Sequence, residues 1–149
     1  MEHEMNEARK YLNRARIVSA LINEKEIEIV KLQAMIEGGA ISFESDGSTK
    51  SSVDNGRNER MIIQLTMLKD ELEEQQKNSL ELKSEIMATI DKLENANYIS
   101  VLYGRYIHFK SFYEISEDMN YSVDWVKTLH RNALNEVEEI LKGEEVKTS

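Results

Sequence analysis

The sequence predicts an all-α protein in which a long antiparallel, coiled-coil-like helical hairpin precedes a three-helix C-terminal helix-turn-helix domain. Three observations lead to this prediction. Apolar residues recur at heptad spacing over two long stretches, the 149 residues include no proline, and eight of the ten aromatic residues lie between residues 98 and 125. Heptad spacing indicates helices that each bury one stripe, whereas a cluster of aromatic residues indicates a small compact core. Without proline, no residue forces a break in a helix interior.

The first predicted helix covers residues 2–37. Its apolar stripe repeats every seven residues, and only Lys25 interrupts it with a charge: Ala8, Ala15, Ile22, Ile29 and Ile36, with Tyr11, Val18 and Leu32 in the intermediate rows. Gly38-Gly39 is predicted to end this helix, because glycine is favoured just past a helix C-terminus. Gly, Ser, Asp and Asn dominate residues 38–58, so a long polar loop is expected there, most simply as a plain connector.

The second predicted helix covers residues 59–94 and completes a hairpin domain of residues 1–94. Apolar residues from Met61 to Leu93 keep a three-to-four spacing. Two helices alone leave much of both stripes exposed, so a partner is expected to cover them. That partner is either a second copy of the chain, which makes a homo-oligomer, or another protein. The residues assigned to this oligomerisation surface are Val18, Ile22, Ile29, Leu32, Leu65, Leu68 and Leu72.

A helix-turn-helix domain is predicted for residues 95–142, with a polar tail over 143–149. Its helices are expected at 98–108, 112–119 and 123–141. Ser111 and Glu114 match a capping box before the second helix. Asn120-Tyr121 fits the turn, because Asn tolerates the left-handed conformation. Ser122 is expected to cap the third helix.

The third helix carries a polar stripe opposite its apolar one. Asp124, Lys127, Thr128, Arg131 and Asn135 share this face. A recognition helix reads the major groove with its first turns, so this face is a candidate DNA contact. Lys110, Arg105 and His130 are expected to reach the DNA backbone from the flanks. The residues predicted to bind DNA are Lys110, Ser122, Asp124, Trp125, Lys127, Thr128, His130 and Arg131.

Each of these residues also has a simpler interpretation. A polar stripe on a helix is often merely solvated. Trp125 is typical of a packing wedge, and His130 of a surface or half-buried histidine.

The net charge of −9 argues against strong DNA binding, but it is unevenly distributed. Residues 1–94 carry 13 Lys/Arg against 19 Asp/Glu, and residues 95–142 carry 5 against 7. The acidity therefore lies mainly outside the predicted DNA-binding domain. Attraction to phosphates depends on Lys and Arg, so one copy is expected to bind DNA weakly.

Two stretches resemble a known family. "LYGRYIHFKSFYEISEDMNYSVDWVKTLHRNALNEV" is similar to the C-terminal part of sigma-70 region 4, with matching Arg105-Tyr106, "EIS", "S-x-x-W-V" and "H-R-x-A-L". "ELKSEIMATIDKLENANYISVLYGRYIHFKSFYEI" resembles phage and prophage proteins near the ArpU and RinA late transcriptional regulators. This resemblance implies a phage-encoded activator of late genes that binds double-stranded DNA, with host RNA polymerase as a further partner.

Two other functions fit the same pattern. A small-terminase-type packaging protein combines such a domain with oligomerising helices, and a protein-interaction module would bind RNA polymerase without DNA. An enzyme is not expected, because the sequence has no cysteine, no glycine-rich phosphate loop and no clustered histidines. No cofactor, metal or membrane partner is expected either. A cytoplasmic location is expected from the missing signal-peptide core, and the resemblance to phage proteins implies that the cell is a bacterial host.

Overall fold

The computed structural model describes the backbone of residues 2–46 and 51–148 and the side chains of residues 7–38 and 56–144. The protein is all-α, as the sequence predicts. Its helices, in chain order, are α1 (Glu2–Asp46), α2 (Ser51–Ile90), α3 (Ala96–Leu102), which a π-helical turn (Tyr103–Ile107) continues, α4 (Phe112–Met119) and α5 (Val123–Thr148).

The predicted loop of residues 38–58 differs most from the structure. α1 passes through Gly38-Gly39 and ends at Asp46, and α2 begins at Ser51. Only residues 47–50 of that loop lie outside the described residues. A glycine inside a helix costs about 1 kcal/mol, which neighbouring turns can offset because helix propagation is cooperative. The prediction that the helix ends at Gly38 was therefore wrong.

The chain divides into two compact units, which differ from the predicted division at residue 94. The first unit combines Met1–Val18 with Ser79–Ser149, and the second is Ser19–Asn78. The start of α1 thus belongs with the C-terminal helices. This pairing joins residues far apart in sequence, which periodicity along one helix does not reveal.

One apolar core holds the first unit together. α1, α2 and α5 each contribute fully buried side chains to it: Ala8, Leu12, Ala15, Ile86, Ile90, Ala133, Leu134 and Val137. The Tyr11 hydroxyl lies 2.7 Å from Thr89 Oγ1, and Arg14 Nη2 donates to Glu85 Oε2 at 2.6 Å. Because the partner number falls as the α1 number rises, these two segments run antiparallel.

In the second unit, an ion pair joins α1 to α2. Lys25 Nζ lies 3.2 Å from Glu71 Oε1, so the one charge in the α1 stripe has a partner on α2. Ile29 and Leu32 are 7% and 8% exposed within the single chain. Side chains so deeply buried offer little surface to a second copy, which corrects their assignment to an oligomer interface. Val18, Ile22, Leu65, Leu68 and Leu72 are half-buried within the chain.

Candidate nucleic-acid interface

α4 begins with the capping box that the sequence predicts. Ser111 Oγ accepts a hydrogen bond from the Glu114 N–H at 3.1 Å, and the Glu114 carboxylate accepts one from the Ser111 N–H at 2.8 Å. These two bonds satisfy amide groups that a helix N-terminus otherwise leaves without a partner. The start of α4 is therefore fixed by its own local sequence.

The turn between α4 and α5 also follows the prediction. Asn120 is left-handed, with φ 60° and ψ 41°, and its N–H donates to the Ser116 carbonyl. Ser122 Oγ accepts a hydrogen bond from the Trp125 N–H at 3.1 Å, which caps α5. Three residues thus connect the two helices, with the direction change placed on the residue that tolerates it best.

A small core beneath this turn sets the packing of α4 against α5. Val101, Ile115, Val126 and Leu129 are buried together. Gly104 of the π-helical turn faces this core, and a Cβ at that position would lie 3.0 Å from Ile115 Cγ1. Glycine therefore allows the π-helical turn and α4 to approach closely.

The polar stripe predicted on α5 is accessible in the structure. Asp124, Lys127 and Arg131 are exposed, and Thr128 is half-buried with its hydroxyl donating to the Asp124 carbonyl at 3.1 Å. Trp125 is 46% exposed, so it is not the buried wedge that was its simpler interpretation. The first turns of α5 therefore present two cations, a carboxylate and an indole ring to solvent.

Lys110 and Ser122, which were also predicted to bind DNA, already have intramolecular partners. Lys110 Nζ forms an ion pair with Asp118 Oδ2 at 2.5 Å. Ser122 uses its hydroxyl to cap α5. A phosphate would have to compete with Asp118 for the Lys110 ammonium group.

His130 does not lie on the flank of the domain. It is 6% exposed, its Nε2 lies 2.7 Å from the Tyr106 hydroxyl, and its ring meets the edge of the Phe112 ring with centroids 5.0 Å apart. Burial, together with the positive charges of Arg9 and Arg105 nearby, lowers the pKa of His130 from 6.5 to about 4. The expectation of a backbone contact from His130 is corrected: this side chain is buried and neutral at physiological pH.

The Arg105 side chain also packs against the domain instead of extending from its flank. Phe109 adopts φ 57°, and the Lys110 N–H donates to the Gly104 carbonyl at 2.9 Å. This bend brings the Lys110 carbonyl to Arg105, whose Nη1 donates to it at 3.1 Å. The guanidinium carbon lies 4.4 Å from the centre of the Phe112 ring. A bulky residue at positive φ is strained, so the bend that orients Arg105 carries an energetic cost.

Arg105 lines a cleft of about 670 Å³, which we call the basic cleft. Its walls come from α1, the π-helical turn, α4 and α5. They consist of Arg9, Asn13, Arg16, Arg105, Tyr106, Phe112, Lys127, His130 and Arg131. Five basic side chains therefore line one cavity of a chain whose net charge is −9.

Sequence reasoning missed the three α1 residues of the basic cleft. Arg9, Asn13 and Arg16 follow the i, i+4, i+7 spacing that places side chains on one helix face. Neither arginine has an acidic residue three or four positions away, although the chain is rich in acidic residues. The lack of an acidic residue at helical spacing from Arg9 and Arg16 was the sequence feature that could have identified them as ligand-binding candidates.

Close packing brings the arginine face of α1 beside α5. Ala8, Leu12 and Ala15 are fully buried, and two of them are small enough to let helices approach closely. The Ala8 N–H donates to Glu138 Oε1 at 3.1 Å, and this carboxylate is itself buried. A charged acceptor in a buried setting makes this a strong local contact.

The electrostatics of the basic cleft favour an anion. Burial lowers the pKa of Arg105, and the neighbouring Arg16 and Arg9 lower it further. Among the side chains that the structure describes, the ion pairs involve other cations: Arg14, Lys25, Lys31, Lys92 and Lys110. No described carboxylate pairs with the cations of the basic cleft, so these cations repel one another, and a bound anion would relieve that repulsion.

Comparison with known proteins gives a family for this chain. A family model described as "Protein of unknown function (DUF1492)" matches residues 43–138. The chain belongs to the DUF1492 family. The match includes α2, α3, α4 and most of α5, and it begins well after Arg9 and Arg16 in the chain. No curated protein and no solved structure matches the chain.

Metal sites and membrane-spanning helices each have requirements that can be compared with the described residues. Within the described residues, no group of three or more His, Cys, Asp or Glu side chains is placed to hold a metal ion. None of the helices, over the same residues, combines the length and apolarity needed to cross a membrane.

Proposed function

We propose that this chain binds double-stranded DNA through α4 and α5 and regulates transcription. The observation that supports the proposal most is the face at the start of α5, where Lys127 and Arg131 are exposed beside the half-buried Thr128, directly after a capped three-residue turn. In helix-turn-helix proteins the corresponding part of the second helix enters the major groove. Regulation of late phage genes comes from the resemblance to sigma-70 region 4 and to the ArpU and RinA group.

Each side chain on this face has a chemically suitable role on DNA. Lys127 and Arg131 are suited to the acceptor edge of guanine, and the Asp124 carboxylate to the amino group of cytosine. Thr128 donates its hydroxyl proton within the helix, which leaves its methyl group free for a thymine methyl. The Trp125 ring is a second apolar surface that can contact a thymine methyl group.

The basic cleft reduces the conflict between an acidic chain and a DNA ligand. Two of its cations, Lys127 and Arg131, also belong to the proposed recognition face. Attraction of phosphates depends on local Lys and Arg rather than on net charge alone. Binding by one copy is still expected to be weak, and a second copy or RNA polymerase would add affinity through multivalency.

A second copy or a protein partner also fits the second unit, which exposes apolar side chains: Leu21, Ile27, Val30, Met35, Ile62, Ile63 and Met67. This exposure keeps the small-terminase alternative open, because those proteins assemble into rings of many copies. Mass in solution discriminates between the two: a monomer or dimer favours a regulator, whereas a large ring favours packaging.

Binding of fluorescently labelled duplex DNA by the full chain tests the proposal. Lys127→Ala and Arg131→Ala are expected to weaken binding to a preferred site by roughly ten-fold each or more, since a good base contact contributes about 1–3 kcal/mol. Lys142→Ala, an exposed cation nearer the end of α5, is the matched control. Wild-type affinity in both variants, or no salt-sensitive binding at low ionic strength, would contradict the proposal and favour a protein-interaction module.

A further inference from the structure

The basic cleft contains more cationic side chains than a recognition helix alone supplies. Lys127 and Arg131 come from α5 and Arg105 from the π-helical turn, whereas Arg9 and Arg16 come from α1, more than 85 residues earlier in the chain. α1 was expected only to mediate oligomerisation or partner binding. Its arginines therefore need an explanation of their own.

Arg14 on the same helix provides an internal comparison. Its guanidinium pairs with Glu85 at 2.6 Å and lies 4.3 Å from the centre of the Tyr11 ring. Arg9 and Arg16 lie on the other side of α1 and line the basic cleft, where the described carboxylates form no ion pair with them. The sequence thus supplies a structural arginine and two arginines whose charge is available to a ligand.

The chemistry of the basic cleft matches phosphate. A guanidinium group donates two parallel hydrogen bonds, which suits phosphate oxygens, and five cations suit a polyanion better than a single phosphate. Asn13 adds a neutral donor between the two arginines of α1. Below them lie the Tyr106 and Phe112 rings and the neutral His130, which add no opposing charge.

We infer that Arg9 and Arg16 of α1, together with Arg105, bind backbone phosphates of the same DNA whose bases face Lys127 and Arg131. This inference rests on the proposed function, because Lys127 and Arg131 line the cleft and also lie on the recognition face. A nucleic acid is favoured over an acidic protein segment, because the cations of the cleft continue onto the face of α5 that is proposed to enter the major groove of DNA. The start of α1 is accordingly part of the DNA-binding site.

The double variant Arg9→Gln/Arg16→Gln in the full chain tests this inference, with Arg14→Gln as the matched control. Binding of a random-sequence duplex and of a preferred site is measured at several salt concentrations. Loss of two phosphate contacts should lower the slope of log K against log salt by about two. Affinity should fall roughly ten-fold or more at low salt and equally for both duplexes, because phosphate contacts carry no sequence information. Arg14→Gln should change neither property.

Three results would overturn the inference. The first is a double variant with the same DNA affinity and salt dependence as Arg14→Gln, while Lys127→Ala and Arg131→Ala still lose affinity. In that case the proposed function survives and this inference fails. The second is an unchanged DNA slope with loss of binding to poly-glutamate, which would assign the cleft to an acidic protein segment. The third is a wild-type chain that binds no duplex at low salt, which would remove both proposals. Circular dichroism melting of each variant establishes that the compared proteins are folded.

Discussion

The Tyr106 hydroxyl lies 2.7 Å from His130 Nε2, beneath the cations of the basic cleft. The two rings are stacked, with centroids 5.6 Å apart and an interplanar angle of 22°. Burial raises the pKa of Tyr106 and lowers that of His130, so both groups are neutral at physiological pH. The pair forms an uncharged floor that joins the π-helical turn to α5.

The low pKa of His130 predicts a loss of stability in acid. The folded chain keeps His130 neutral down to about pH 4, whereas the unfolded chain takes up a proton near its ordinary value of 6.5. Stability should therefore fall as pH drops from 6.5 to 4, by up to about 3 kcal/mol from this group. His130→Gln keeps an acceptor for Tyr106 and should show a flatter profile. Urea unfolding across this range measures it, with exposed His108→Gln as the control; identical profiles for all three proteins would contradict the assignment.

Gly104 and Gly143 make a matched pair in helical segments. A Cβ at Gly104 would meet the buried side chain of Ile115, with Cγ1 at 3.0 Å, whereas nothing lies within 4 Å of a Cβ at Gly143. We expect Gly104→Ala to destabilise the chain by about 1–2 kcal/mol through overpacking. Gly143→Ala should stabilise it by up to about 1 kcal/mol through helix propensity. Thermal melting compares the two, and a stabilising Gly104→Ala would show that α4 does not pack closely on the π-helical turn.

Substitution of Glu138 is expected to change DNA affinity in one direction if its charge matters most, and in the other if its contact with α1 matters most. Its carboxylate accepts the Ala8 N–H at 3.1 Å and so helps to hold Arg9 beside α5. Glu138→Ala removes a negative charge, which by itself would strengthen binding to DNA. We expect weaker binding instead, by about three- to ten-fold, because the start of α1 loses a hydrogen bond to a charged acceptor. Glu138→Gln, which keeps an acceptor oxygen, should lie between Glu138→Ala and wild type; tighter binding by Glu138→Ala would show that α1 needs no such anchor.

Ile29 and Val30 are sequence neighbours with opposite environments. Ile29 is 7% exposed and Val30 is 63% exposed within the chain. Ile29→Ala should lower the free energy of unfolding by about 2 kcal/mol or more, as expected for a large-to-small core change. Val30→Ala should change the stability of an isolated chain by less than about 0.5 kcal/mol. Urea unfolding at several protein concentrations tests both, and a concentration-dependent loss for Val30→Ala alone would place this face in an interface between copies.

Local features of the first unit were predictable because neighbouring residues determine them. The capping box of Ser111 and Glu114, the left-handed Asn120 and the Ser122 cap each depend on a few adjacent residues. The bounds of α4 agree with the prediction for the same reason. These features were read correctly without knowledge of the rest of the fold.

Long-range features could not be obtained in this way. Periodicity assigned Ala8, Leu12 and Ala15 to a helix stripe but did not show that this stripe packs on α5. The burial of His130 depends on that packing and on Tyr106, which lies 24 residues earlier in the chain. The continuation of α1 past Gly38 depended on cooperativity along a long helix rather than on the glycine itself.

The most direct test of the central claim, that α5 and the basic cleft bind DNA, is a titration of the isotope-labelled full chain with duplex DNA, followed by amide and arginine side-chain chemical shifts. The account predicts shifts concentrated at the first turns of α5, around Trp125, Lys127 and Arg131, and at the Arg9, Arg16 and Arg105 side chains. Residues of the second unit should change little. Shifts confined to the second unit, or no shifts at low salt, would contradict the account.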